Sequence, residues 1–153
     1  ISKVLVNEKN PKDSQYISAL FKVCGNLERI GDHAVNICEY TQKMEEKKIS
    51  FSPAVSDEIT EMQKISNQAL ETLQTIQSDG NDPELALKKI EDLEQKFDDM
   101  TEDYRKAQID RMQTGKCSDE ACILYSEMLT DFERIGDHIL NIGQEMGLGK
   151  VSE

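Results

Sequence analysis

The segment LFKVCGNLERIGDHAVNICEYTQKM, residues 20–44, sets Leu20, Val23, Leu27, Ile30, Ala34, Ile37 and Met44 at alternating steps of three and four, with Thr41 interrupting. Such steps return apolar side chains to one side of an α-helix, because 3.6 residues complete a turn. Tyr125, Met128, Phe132, Ile135, Ile139, Ile142 and Met146 do the same near the end of the chain. Between these segments, Val55, Met62, Ile65, Ala69, Leu73 and Ile76 form a second stripe, and Ala86, Ile90, Leu93, Phe97, Met100, Tyr104 and Ala107 a third. The reading is four long helices, their stripes the seams of an antiparallel helical bundle, with the Met residues as gap-filling core.

Punctuation agrees. Breaks fall at Asn10-Pro11, Lys48 to Pro53, Ser78 to Pro83 and Gly115 to Ser118. Ser52-Pro53 and Asp82-Pro83 each join an N-cap to a proline at the first helical position. Gly80 and Gly115 stop the helices before them, and Gly147 with Gly149 closes the last. The 153 residues are 37% hydrophobic and 31% charged, with no Trp, 3 Pro and 8 Gly. That composition lacks the breakers and β-formers of a sandwich or barrel, so the fold class is all-α, and the length suffices for one core.

Asp and Glu number 30 against 18 Lys and Arg, a net charge of −12. Such a surface repels phosphate backbones and anionic headgroups, which argues against nucleic acid, and it concentrates cations; solubility alone would explain the same excess. No window holds the roughly 18 uninterrupted apolar residues of a membrane span, and no signal segment opens the chain. Cys24, Cys38, Cys117 and Cys122 form no C-x-x-C pair and read as reduced thiols of a cytoplasmic protein. Ile at position 1 suggests a piece excised from something longer.

The first and last helices share more than a stripe. Glu28-Arg29-Ile30-Gly31-Asp32-His33 recurs 105 residues on as Glu133-Arg134-Ile135-Gly136-Asp137-His138, and Asn36-Ile37 recurs as Asn141-Ile142. The stripes superpose under the same shift, Leu20 on Tyr125 and Leu27 on Phe132, so the chain holds two related helical units. Within each copy the two acids stand one turn apart, where carboxylate oxygens can share a cation. Measured from the core stripe they point outward, onto the surface of the bundle. Glu94 and Asp98 repeat the geometry on the third helix, with Glu91 and Glu102 alongside; Asp57 and Glu61 give the second helix a weaker version. An exposed acidic pair is most often solvated surface and nothing more, and the repetition of the pair is what argues for a ligand.

His33 and His138, the 2 histidines of the chain, are turned about 100° from the second acid, toward the flank of the core. A hydrogen-bonded interface histidine is the plain reading, and support of a metal ligand is the alternative. Asn36 and Asn141 extend the outward face by a turn, as polar surface or as neutral oxygen donors. Arg29 and Arg134 read as tethers to neighbouring carboxylates. Gly31 and Gly136 each cost a helix roughly 1 kcal/mol and imply close helix approach or room beside an ion.

The paired E-R-I-G-D-H-x-x-N-I segments, on the closing helices of two units, resemble the PhoU family of phosphate-uptake regulators. The resemblance implies two repeated three-helix bundles, each holding multinuclear iron or zinc clusters on its surface through an E/D-x-x-x-D pattern. Carried over residue by residue, the pattern falls on Glu28 and Asp32, on Glu133 and Asp137, and on the middle-helix pair Glu94 and Asp98, with His33, His138, Asn36 and Asn141 in supporting positions. Residues 1–50 are then the closing part of a truncated first repeat, with its helix at 12–46, and residues 51–153 the second three-helix repeat, complete over 54–147. The opening Ile1 to Asn7 followed by the motif helix is more similar to the cytoplasmic PhoU-type tail of a sodium-dependent phosphate cotransporter than to a free-standing regulator. An orphan first helix must bury its stripe on the second bundle or against a second copy, as a homodimer.

The function expected is a non-enzymatic metal-binding module of phosphate transport and homeostasis, with the transcription regulation tied to it. It would act by contact with a transporter's membrane domain or with phosphate-signalling proteins. A di-metal carboxylate oxidase, the rival from another class, needs inward Glu residues and Glu-x-x-His motifs, whereas Ile30 and Ile135 stand three residues before the two histidines. Gly-rich phosphate loops, nucleophile elbows and H-E-x-x-H are missing from the sequence. A metal-free structural bundle is the third reading.

Overall fold

The computed structural model describes residues 10–76, 80 and 82–148; Ile1 to Asn7, Ser78 and Gly149 lie outside them. Four helices follow in order: α1 (Pro11–Lys47), α2 (Pro53–Thr75), α3 (Pro83–Gln113) and α4 (Asp119–Leu148). No strand occurs among the described residues. The side chains of Asn10, Ser52 and Asp82 accept from the backbone N–H groups of Lys12, Val55 and Glu84, each just ahead of or within a first turn that begins with proline. Ser118 accepts likewise from Ala121 N–H at the start of α4. After α3 the chain reverses through Gly115 at φ 66°, a conformation that favours glycine.

Helices α2, α3 and α4 form the bundle proper, with α3 antiparallel to the other two. One buried cluster gathers Val55, Met62, Ile65, Phe97, Tyr125, Leu129 and Phe132; the other gathers Ala69, Leu73, Ile76, Ala86, Ile90, Ile135, Ile139 and Ile142. Glycine admits α3 closely: a Cβ at Gly136 would lie 3.3 Å from the Phe97 ring, and one at Gly143 3.2 Å from Ile90. The close approach expected at Gly136 is therefore present. At Gly31 a Cβ would meet nothing within 4 Å.

Helix α1 runs antiparallel along α4, with ion pairs Lys22–Glu145 and Lys47–Glu120 toward its two ends. Val23, Ile30 and Ile37 pack onto the core, but no residue of α1 is fully buried. Leu20, Leu27 and Ala34, three of the seven stripe residues expected in the core, are exposed, as are Phe21 and Val35. The reason is geometric. Tyr125 and Phe132, the counterparts of Leu20 and Leu27, are covered by the α2–α3 side of the bundle, whereas α1 has essentially one neighbour and buries only the side turned to it.

The seam between α1 and α4 carries a polar core that the repeat explains. His138 Nδ1 lies 2.9 Å from Asn26 Oδ1, and Asn141 donates to the same oxygen. His33 Nδ1 lies 2.6 Å from Asp131 Oδ1, which also accepts from Asn36. The 105-residue shift converts each set into the other, so the two helices meet about a local twofold axis between the stacked rings of His33 and His138, 5.6 Å apart.

One expectation fails at the turn before α4. Cys117 and Cys122 are joined as a disulfide, leaving Cys24 and Cys38 as the free thiols among the described residues. Cys117 sits in the turn and Cys122 in the first coil of α4; the helix start folds back so that their Cα atoms are 6.4 Å apart. A search confined to C-x-x-C spacing overlooks that geometry.

Candidate metal centre

The groove between α3 and α4 collects the acids. Glu94 and Asp98, one turn apart on α3, face Asp137 on α4, and one ligand oxygen from each lies within 4.8 Å of the other two. This is the single group of its kind among the described residues. Gly136 fixes the distance between the helices at this level, because α3 brings the ring of Phe97, next to Asp98, directly against it. Arg134 donates to Asp137 at 3.2 Å, the tether expected from its spacing. Glu133 is half-exposed and held by Arg105 at 3.0 Å.

Both α3 acids hold their protons more tightly than usual. Partial burial raises Glu94 above its ordinary 4.5, reinforced by Asp98, Asp137 and Glu91. Partial burial also raises Asp98 above 3.8, reinforced by Glu133, Asp137 and Asp99. Between the ordinary and raised values the folded chain binds more protons than the unfolded one, so stability falls as pH rises through that window, and the penalty persists above it. Glu94→Gln or Asp98→Asn should therefore raise the melting temperature in chelator at neutral pH by about 1–2 °C, the scale of one relieved like-charge pair. Unchanged or lowered values in differential scanning fluorimetry would show that the acids do not repel.

The first copy of the motif is not assembled in this way. Glu28 and Asp32 are exposed on α1 and join no such group among the described residues. Among the described residues no counterpart of α3 faces them. His33 and His138 are interface histidines engaged with Asp131 and Asn26. His138 has its pKa lowered by burial, then by His33 and Arg29. Asn36, partly buried, turns into the α1–α4 seam, which corrects its placement on the outward face; Asn141 stays exposed and donates to Asn26 from the edge of the seam. Because α4 meets α1 on its Val23–Ile30–Ile37 side, the seam is rotated from the stripe as first drawn, and Asn36 falls inside it.

Sequence reasoning overlooked Asp131 and Asn26. Asp131 is buried and accepts from His33 and Asn36; burial, and then the bond to Asp131, pushes Tyr40 up to about 12. Each stands seven residues before a motif histidine, so extending the repeat two turns upstream would have found them. Glu102, expected near the acidic strip, instead pairs with Lys106.

Three carboxylates from two helices offer only oxygen donors, which suits oxygen-preferring cations better than thiolate- or imidazole-seeking ones. The donor set therefore fits such a cation, which Glu94, Asp98 and Asp137 would hold.

An all-α bundle with a motif repeated on two helices and an acidic groove on its surface is the class that fold and site define. A PhoU domain profile matches residues 1–41 and 59–146. The chain belongs to the PhoU family. It is similar to the phosphate-specific transport system accessory protein PhoU homolog 1 of Thermotoga maritima, with 28% identity over 148 residues, covering 93% of this chain and 60% of that protein. The chain thus spans about three-fifths of the length of the curated relative it matches. No solved structure matches it. No helix among the described residues is long and apolar enough to cross a membrane.

Proposed function

We propose that this chain is a non-enzymatic regulatory module of phosphate transport that binds metal at Glu94, Asp98 and Asp137. The observation that carries the reading is the convergence of these carboxylates from two helices, two of them with raised proton affinity. A cation between them replaces mutual repulsion with shared attraction and locks α3 against α4. The family resemblance favours iron or zinc, and the all-oxygen donor set favours iron of the two. The carboxylates lie on the bundle surface and no Glu-x-x-His sits in the core, which speaks for a binding module over an oxidase. Membership of the family supports a role at the cytoplasmic side, in contact with a transporter's membrane part or a phosphate-signalling protein. We further propose that residues 1–50 and 51–153 are its two repeat units, the first incomplete, and that two copies pair through the exposed stripe of α1.

Elemental analysis of tag-free protein, loaded separately with iron, zinc and manganese, tests the metal reading. Wild-type protein and Asp32→Asn should retain about one equivalent or more after desalting. Asp137→Asn and the double variant Glu94→Gln/Asp98→Asn should lose most of it. Metal held equally by all four would place the site elsewhere, and metal held by none would leave a structural bundle.

A further inference from the structure

We propose that Cys117 and Cys122 are a reversible thiol–disulfide exchange site for low-molecular-weight thiols and disulfides of the glutathione class. The pair differs from a structural staple in what it encloses. Its ring spans sequence positions five apart, so the bond removes less chain entropy than a staple across a long loop would. The turn it closes is already held without it: Ala121 N–H donates to the Ser118 hydroxyl and Cys122 N–H to the Ser118 carbonyl, at 3.3 and 3.0 Å. Reduction therefore leaves the two sulfurs close together and ready to rejoin.

The two sulfurs have unequal access. Cys117 is partly buried, lining a cavity of about 460 Å³ with Lys48 and Lys116 in its walls, whereas Cys122 is 1% exposed. An incoming thiolate reaches the Cys117 sulfur, forms a new S–S bond there and breaks the old one, and the electron pair leaves on Cys122. That thiolate is born in the first turn of α4, where the helix dipole favours negative charge, and takes a proton from water. A second thiol then releases Cys117, so two thiols become one small disulfide as the protein gains two thiols. Oxidation reverses these steps.

The state of the bond has a path into the bundle. Gln108, buried on α3, donates to the Cys117 sulfur at 3.7 Å and accepts from Arg111 Nε at 2.9 Å. Arg111 grips Glu58 of α2 through both carboxylate oxygens, and Glu58 accepts from the Tyr125 hydroxyl of α4. The disulfide thus terminates a hydrogen-bonded chain through all three helices of the bundle.

The test uses the 153-residue chain carrying Cys24→Ser and Cys38→Ser, both at exposed positions, equilibrated in buffers of varied reduced to oxidised glutathione. After acid quench, denaturation and alkylation, mass spectrometry should show positions 117 and 122 passing together from protected to alkylated within the buffer series. Reductant should lower the melting temperature of this protein and leave that of the triple variant with Cys117→Ser unchanged. Protection that survives every glutathione buffer identifies a static staple and overturns the proposal. So do alkylation even in oxidised glutathione alone, a glutathione adduct on Cys117 with no internal bond, and an equal thermal response of the triple variant.

Discussion

Replacing Arg111 with methionine is expected to lower the melting temperature by about 10 °C, a loss of roughly 3 kcal/mol in a chain of this size. Arg111 donates to both oxygens of Glu58 at 2.9 and 2.8 Å, and the two side chains are only 12% and 16% exposed. It also lies over the Tyr125 ring, 5.6 Å from its centroid, and the carboxylate holds its pKa above the usual value. Methionine keeps much of the packing volume and abandons Glu58 as a nearly buried, uncompensated charge, so the expected loss comes from the orphaned carboxylate and not from a cavity. The double variant Glu58→Gln/Arg111→Met should recover a large part of the loss, because no unpaired charge remains. Urea denaturation of the two single variants and the double gives the coupling energy directly. A coupling below about 0.5 kcal/mol would mean the three helices are not joined at this point.

The contrast between this network and the helices themselves shows what the sequence makes legible. Apolar periodicity, Ser52-Pro53, Asp82-Pro83 and the positive-φ Gly115 act locally, and each is where local chemistry requires it. The acidic groove was partly legible for the same reason. Glu94 and Asp98 share a helix face by spacing alone, and the repeat supplied Asp137. Glu58, Arg111 and Tyr125 are 53 and 14 residues apart, on three helices, and each residue type alone reads as surface charge or core aromatic. Only packing brings them together. The same limit explains the first helix: the repeat correctly paired Leu27 with Phe132 by position, yet burial depends on which neighbours exist, and that is a property of the assembled bundle.

That last difference is large enough to measure. Phe132→Ala should destabilise the protein by about 3–5 kcal/mol, because Phe132 is 4% exposed and its removal leaves a cavity against α2 and α3. Leu27→Ala, at the equivalent position of the other repeat, should change stability by no more than about 0.5 kcal/mol, because Leu27 is 49% exposed and alanine is the better helix former. Phe132→Leu, a milder change, keeps the comparison readable where the alanine variant fails to fold. Urea midpoints at low micromolar protein, repeated at a concentration one hundred times higher, separate a property of the monomer from a property of an assembly. A Leu27→Ala loss that stays small at both concentrations shows that water covers the stripe of α1. A loss that grows to 2 kcal/mol or more at the higher concentration shows that a second copy covers it, since burying such a side chain at an interface restores the cavity penalty that Phe132 already carries within the bundle.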